Sequence, residues 1–194
     1  AEYLKSCKDI LAKRENGRWV GTQWYCYSRN QALEIISSQK ILTADLNPSA
    51  NYCFDKSGEA GFPGGAAGGY GIVLDANMYL YVLGLLNSKA VDYYHKKIST
   101  NFRGGWFGYD AKVIRNIPIR TINFSDPAEK AQHDKMVSLV EAMLALHKSL
   151  AAAQSPAEKE RLERQIQVTD REIDGLVYEL YGLSEEEIRI VEGS

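Results

Sequence analysis

Two helix-start signals near the end of the chain constrain its fold more than any other feature. Asp126-Pro127-Ala128-Glu129 and Ser155-Pro156-Ala157-Glu158 each set a short polar side chain before a proline, with a carboxylate at the third helical position. The polar side chain accepts from the free N–H groups of the first turn, proline lacks the N–H that would go unpaired there, and the glutamate faces the positive end of the helix. After the first signal, Met136, Val140, Met143 and Leu150 recur on one helical face, with His147 at the same spacing. After the second, Leu162, Ile166, Ile173, Leu176 and Leu180 do the same, with Thr169 at the apolar position between. The chain has only about Ala151–Gln154 in which to reverse, so the segment predicts two long helices in an antiparallel hairpin. Gly182 reads as a C-cap and Ser184-Glu185-Glu186-Glu187 as the start of a short last helix. Thr169-Asp170-Arg171-Glu172 has the form of another start, which predicts a break or kink in the second helix.

The preceding residues are mixed. Leu4–Lys13 has helical spacing. Trp24–Tyr27, Lys40–Thr43, Tyr52–Phe54 and Ile72–Leu74 are short strand candidates bounded by Asn, Pro and Gly. Asn77–Leu86 reads as a helix with Leu80, Leu83 and Leu86 inward, and Ser88 caps another that runs to about Lys97. The glycine-rich stretch 61–71 reads as a loop, and Val113–Ile119 as a strand that Pro118 brings to an end. The expected class is α+β: a small mixed β-sheet domain with flanking helices over 1–122, then the helical hairpin and short helix over 123–194.

Charge follows the same division. Residues 1–122 carry 15 Lys/Arg against 10 Asp/Glu, a net +5, and hold all three Trp and ten of the twelve Tyr. Residues 123–194 carry 8 against 15, a net −7. A basic, aromatic stretch beside an acidic one suggests nucleic-acid contact by the first. No apolar run approaches the roughly 20 residues of a membrane span, and a cytoplasmic location is expected. Cys7, Cys26 and Cys53 are odd in number without Cys-x-x-Cys spacing, and His95, His133 and His147 are scattered, so reduced structural thiols and no metal site are expected. Ala1 in place of a starting Met suggests a piece of a longer chain.

Catalytic patterns fail one by one. A dinucleotide loop follows a strand and opens a helix, whereas the glycine-rich stretch here opens a strand, and no Gly-Lys-Ser/Thr follows it. Asp45-Leu46-Asn47-Pro48-Ser49-Ala50 resembles half of the motif with which amino-methyltransferases grip a flipped base, but Ser49 and Ala50 stand where a second proline and an aromatic are needed, so it reads as a turn. No Gly-x-Ser-x-Gly is present. The chain is expected to hold no catalytic residue and no cofactor. What remains is a basic-aromatic set: Arg18, Arg29, Lys40, Lys56, Arg103, Lys112 and Arg115. Arg29, Lys40, Lys56, Arg103 and Lys112 are the expected DNA contacts, and Phe102-Arg103-Gly104-Gly105-Trp106 is the densest grouping, with cations for phosphates and glycines for close approach.

The order of segments carries a resemblance. Leu11-Ala12-Lys13-Arg14, Trp24, Arg29, Lys40-Ile41-Leu42, Tyr52-Cys53-Phe54-Asp55-Lys56-Ser57-Gly58, Tyr79-Leu80, Leu85-Leu86-Asn87-Ser88-Lys89, Phe102-Arg103-Gly104-Gly105 and Asn116-Ile117-Pro118-Ile119 follow one another, and a tail from Thr169 to Ile188 ends the series. Together they resemble the TaqI-like C-terminal specificity domain, the target-recognition domain of adenine-N6 DNA methyltransferases and of fused type II restriction–modification enzymes. The resemblance implies double-stranded DNA as a partner, an upstream methyltransferase domain in the same protein that uses S-adenosylmethionine, and a recognition role at matched positions such as Arg29, Lys40 and Arg103. Two rival readings stay open: a protein-interaction module built on the hairpin, and a nucleotide-binding enzyme built on the glycine-rich loop.

Overall fold

In the computed structural model the described residues are 2–27, 33, 35–61 and 68–193. They belong to two compact units, 1–36 and 37–194.

The smaller unit holds three short helical segments, α1 (Glu2–Ser6), α2 (Lys8–Ala12) and α3 (Arg14–Gly17). The single helix expected over Leu4–Lys13 is therefore divided at Cys7. It ends where Glu15 and Asn16 take left-handed backbone angles, φ 50° and 60°. Arg14 ties the unit together: Nε donates to the Leu11 carbonyl at 2.9 Å, and Nη2 to those of Trp24 and Cys26 at 3.1 and 2.9 Å. A guanidinium thus takes carbonyls that a neighbouring strand would otherwise take. The strand expected over Trp24–Tyr27 is replaced by turns.

In the larger unit β1 (Lys40–Ala44) and β2 (Leu46–Asn47) follow each other directly but enter different sheets. β1 lies between β3 (Cys53–Asp55) and β4 (Gly69–Ile72), antiparallel to both. Two helices follow, α4 (Tyr79–Asn87) and α5 (Lys89–Ile98). Then β5 (Asn101–Phe102) and β6 (Trp106–Gly108) form an antiparallel pair, and β6 also pairs with β2. The strand expected at Ile72–Leu74 starts earlier because Gly69 lies on the Thr43 carbonyl, where any Cβ would collide. The end of the glycine-rich stretch is thus strand rather than loop, while its residues 62–67 lie outside the described residues.

The strand expected over Val113–Ile119 is corrected. The chain forms α6 (Ala111–Ile114) instead, because the Asp110 carboxylate accepts from the N–H groups of Lys112 (2.7 Å) and Val113 (3.3 Å). That is an N-cap, which favours a helical turn over extension.

The hairpin forms as expected: α7 (Pro127–Ala152) and α8 (Pro156–Tyr181), then α9 (Glu185–Glu192). Asp126 accepts from Ala128 N–H at 2.8 Å and Ser155 from Glu158 N–H at 3.2 Å. Ser184 and Glu187 complete a capping box. α8 does not break at Thr169, whose hydroxyl donates back to the Gln165 carbonyl at 3.1 Å instead of capping a new helix.

One apolar core joins these elements, from Ile41 in β1 through Tyr81 and Leu85 in α4 to Met136 in α7 and Val177 in α8, each buried. α4 and α7 meet at Gly84, where a Cβ would sit 2.5 Å from Met136 Sδ and 2.9 Å from Val140 Cγ2. The division expected at residue 122 is therefore one of charge, and packing continues across it. The mixed α+β class stands. Among the described residues no helix is long and apolar enough to cross a membrane.

Candidate nucleic-acid interface

Between α4 and α5 the stretch Leu85-Leu86-Asn87-Ser88-Lys89 acts as a joint. The Asn87 side chain mimics a strand partner: Oδ1 accepts from Tyr52 N–H at 2.9 Å and Nδ2 donates to the Tyr52 carbonyl at 3.0 Å. Ser88 Oγ donates to the Leu85 carbonyl at 2.7 Å, closing α4, and accepts from Val91 N–H at 3.4 Å, opening α5. Lys89 N–H donates to Asp174 Oδ1 at 2.8 Å, and its ammonium lies 3.4 Å from both Asp174 Oδ2 and Glu192 Oε1. Burial holds the Asp174 carboxyl above the usual carboxylate range. The joint thus ties the Tyr52 backbone just before β3 to α4, α5, α8 and α9, and its hydrogen bonds are made within the protein.

The β5–β6 hairpin is different. Phe102 faces Trp106 across it, and Arg103, Gly104 and Gly105 form the loop, with φ of 82° and 79° at the two glycines. Side chains alternate across a strand. Phe107 points inward and packs on the core, whereas Phe102 and Trp106 stay 46% and 44% exposed. Arg103 is exposed at the tip and makes no ion pair with a described residue.

The hairpin stands on a buried base. The Gly108 carbonyl accepts from Ser99 Oγ at 2.6 Å and from His95 Nε2 at 2.9 Å. A carbonyl only accepts, so Nε2 carries the proton and Nδ1, buried without a partner among the described residues, holds the lone pair. Burial pushes the His95 pKa below its usual value, which keeps the ring neutral. The ring stacks on Tyr109, centroids 3.9 Å apart and planes at 17°. Tyr109 in turn donates its hydroxyl to Asp92 Oδ1 at 3.0 Å and its N–H to the Asp45 carbonyl at 2.7 Å. Asp92 is itself held by Ala50 N–H at 2.8 Å and by the Lys96 ammonium at 2.7 Å.

The five expected contact residues fare differently. Arg29 lies outside the described residues. Lys40 is corrected: it is buried and stands directly across the ladder from Asp55, with 2.7 Å between Nζ and Oδ2. Its ammonium joins β1 to β3, and the hydrogen bond it gives Asp55 is the chief reason that carboxyl titrates at about 2. Asp55 also accepts from Gly58 N–H at 2.9 Å and Ala60 N–H at 3.0 Å, which shapes the turn carrying Lys56. Lys56 is exposed there, Lys112 is exposed on α6, and Arg103 is exposed at the β5–β6 tip. Of the wider set, Arg115 is exposed just after α6, and in the smaller unit Arg18 lies 5.6 Å over the Trp19 ring and 3.7 Å from Glu15. Among the described residues no group of acidic, histidine and cysteine side chains is arranged to hold a metal ion.

Sequence reasoning found the tip but missed its support. Two residues of period-2 alternation flanking Gly-Gly are a hairpin signal in Asn101–Gly108. His95 and Tyr109 carry no such signal, since their stacking depends on the return of the chain.

No family model matches the chain. It is 31% identical over 170 residues to the type II restriction enzyme and methyltransferase RM.Eco57I of Escherichia coli. The aligned residues make up 84% of this chain and 17% of that protein, so the chain spans less than a fifth of the relative's length. The chain is thus similar to part of a restriction–modification enzyme.

Proposed function

We propose that the chain recognises duplex DNA as the C-terminal specificity domain of an adenine-N6 DNA methyltransferase in a restriction–modification system. The observation that carries this reading is the β5–β6 tip. There Arg103, with no ion pair among the described residues, lies in the loop that joins the half-exposed Phe102 and Trp106, on a buried, hydrogen-bonded base. Cations of this kind hold phosphates or grip guanine edges, and a rigid base fixes which of these they reach. Lys56 and Lys112 add exposed charge on other elements of the same unit. Similarity to part of RM.Eco57I supports the same context. In this reading S-adenosylmethionine and the residues that transfer its methyl group belong to the rest of the protein, and this chain selects the adenine by binding the duplex beside it.

The test is a titration of the protein with duplex DNA at several salt concentrations. Affinity should fall steeply as salt rises. Arg103→Ala should weaken binding. If Arg103 holds a phosphate, the substitution lowers the salt slope by about one; if it grips a base, preference relaxes at one position. Absence of affinity for any duplex at low salt would overturn the reading.

A further inference from the structure

We infer that the β5–β6 tip is a wedge: Phe102 and Trp106 enter the base stack of duplex DNA and kink it, while Arg103 holds the backbone. The inference rests on the DNA-binding reading above and adds the manner of binding.

The pleat assigns the aromatics to different tasks. Phe107 faces the core, and Lys96 lies 5.6 Å over its ring. Phe102 and Trp106, one step away on the other face, contribute nothing comparable to the core and remain 46% and 44% exposed. Both rings rest on glycine. A Cβ at Gly108 would lie 3.5 Å from Phe102 Cε2, and one at Gly104 would lie 3.6 Å from Trp106 Cδ1. The backbone therefore supports the rings from below. The Gly108 carbonyl at the base of the hairpin is held by Ser99 and His95, and His95 stacks on Tyr109. Two half-exposed rings on one face of the hairpin, with a cation in the loop between them, make a surface suited to stacking.

The chemistry favours insertion over edge reading. A tip that reads base edges presents hydrogen-bonding groups in the groove. Here the side chains flanking the loop are aromatic, and Arg103 is the one cation the loop supplies. Apolar wedges partly unstack a base step and bend the duplex by roughly 20–90°. The unstacking is offset by aromatic stacking and by the phosphate contact. Because these terms are of similar size, insertion should be selective for steps that unstack easily, namely pyrimidine–purine steps. The wedge would then add specificity through deformability at a position where no hydrogen bond reads a base.

The test starts from duplexes of about 30 bp that the protein selects from a randomised pool, a length on which such bends are measurable. Labelled at both ends with a donor and an acceptor, they report the bend by energy transfer. The wild-type protein should bend them by at least about 20°, and the selected sequences should share a pyrimidine–purine step at a fixed position. The Phe102→Ala/Trp106→Ala double variant should bind straight DNA, roughly tenfold more weakly, with an unchanged salt slope. Phe102→Leu/Trp106→Leu should keep most of the bend, since aliphatic wedges also kink DNA. Unfolding midpoints of both variants verify that the fold is intact. Straight DNA in the wild-type complex, or a bend that survives in the double alanine variant, overturns the wedge and leaves DNA recognition standing. Failure to select any duplex at low salt overturns both.

Discussion

In residues 1–122 cations outnumber carboxylates by five, and in 123–194 carboxylates outnumber cations by seven. Yet Met136 and Val140 of the acidic stretch press on Gly84 of the basic one, and Ile173, Leu176 and Val177 of α8 share a core with Ile41 and Tyr81. Charge and packing thus divide the chain at different places. Charge is written on the solvent face of each element, whereas cohesion is written on the apolar stripe, and the two need not share a boundary. Packing parts at residue 36 instead. The largest effect should follow from cutting at the wrong one. A chain of residues 37–194 should unfold cooperatively in urea, followed by circular dichroism. A chain of residues 37–122, with Leu83, Leu85 and Tyr81 stripped of α7 and α8, should show no cooperative transition. Cooperative unfolding of 37–122 alone would restore the charge boundary as a domain boundary.

The hairpin itself repeats the contrast on a smaller scale. Its half near α4 buries Met136 completely, while Leu144 and Val168, further along the helices, are 41% and 46% exposed. Met136→Ala should therefore cost about 2–5 kcal/mol of stability in urea unfolding. Leu144→Ala and Val168→Ala should each cost far less, since little apolar surface leaves the core. Equal costs would mean that the hairpin stands on its own helix–helix contact and not on the shared core.

Lys40 and Arg103 extend the comparison to single cations. In the sequence both are cations of the basic stretch set next to large apolar side chains, Ile41 after Lys40 and Phe102 before Arg103. What separates them is the partner across the ladder: Asp55 faces Lys40, whereas Phe102 and Trp106 flank Arg103. Lys40→Met should thus lower the unfolding midpoint clearly, by leaving a carboxylate at a buried edge without its ammonium. The acid limb gives the sign. Asp55 is held at about 2, so its contribution is full above the ordinary carboxylate value and is lost as pH falls through about 2. In Lys40→Met that loss should be smaller and complete at a higher pH, because the largest cause of the depression is gone. An unchanged acid limb would show that the backbone donors Gly58 and Ala60 hold the carboxylate by themselves.

How far the sequence predicts each part depends on how local its cause is. The two long helices were legible because Asp126, Ser155 and the apolar stripe act within a few residues of one another. The joint at Asn87–Lys89 was legible as a motif and illegible as a device, since its partners Tyr52 and Asp174 are far away along the chain. The strand expected at Val113 failed because the Asp110 carboxylate caps a helical turn there, accepting from Lys112 and Val113 N–H. Lys40 failed as a DNA-facing residue because cross-strand register, which sets it opposite Asp55, is a tertiary fact.

A smaller effect separates the base of the β5–β6 hairpin from its tip. His95 is neutral in the fold because burial depresses its pKa. Above the ordinary histidine value of about 6.5 its contribution is full, since the ring is uncharged whether folded or not. As pH falls below that value the unfolded chain takes a proton that the folded chain refuses, and stability is lost until the folded pKa is reached. The slope from this one group is at most about 1.4 kcal/mol per pH unit. His95→Phe, which keeps a ring against Tyr109, should remove that part of the slope; an unaltered slope would assign it to other groups.

The smallest effect on stability belongs to the tip. Arg103 touches no described carboxylate and covers no part of the core, so Arg103→Ala should change unfolding free energy by no more than about 0.5 kcal/mol. The same substitution should weaken DNA binding, whereas Lys40→Met should lower stability and leave the DNA affinity of the remaining folded molecules nearly intact. Measuring both quantities on both variants makes the pair a crossed test. If Arg103→Ala destabilised the fold as Lys40→Met does, the exposed tip would be part of the scaffold, and the distinction between cations that hold the protein and cations left for a partner would collapse.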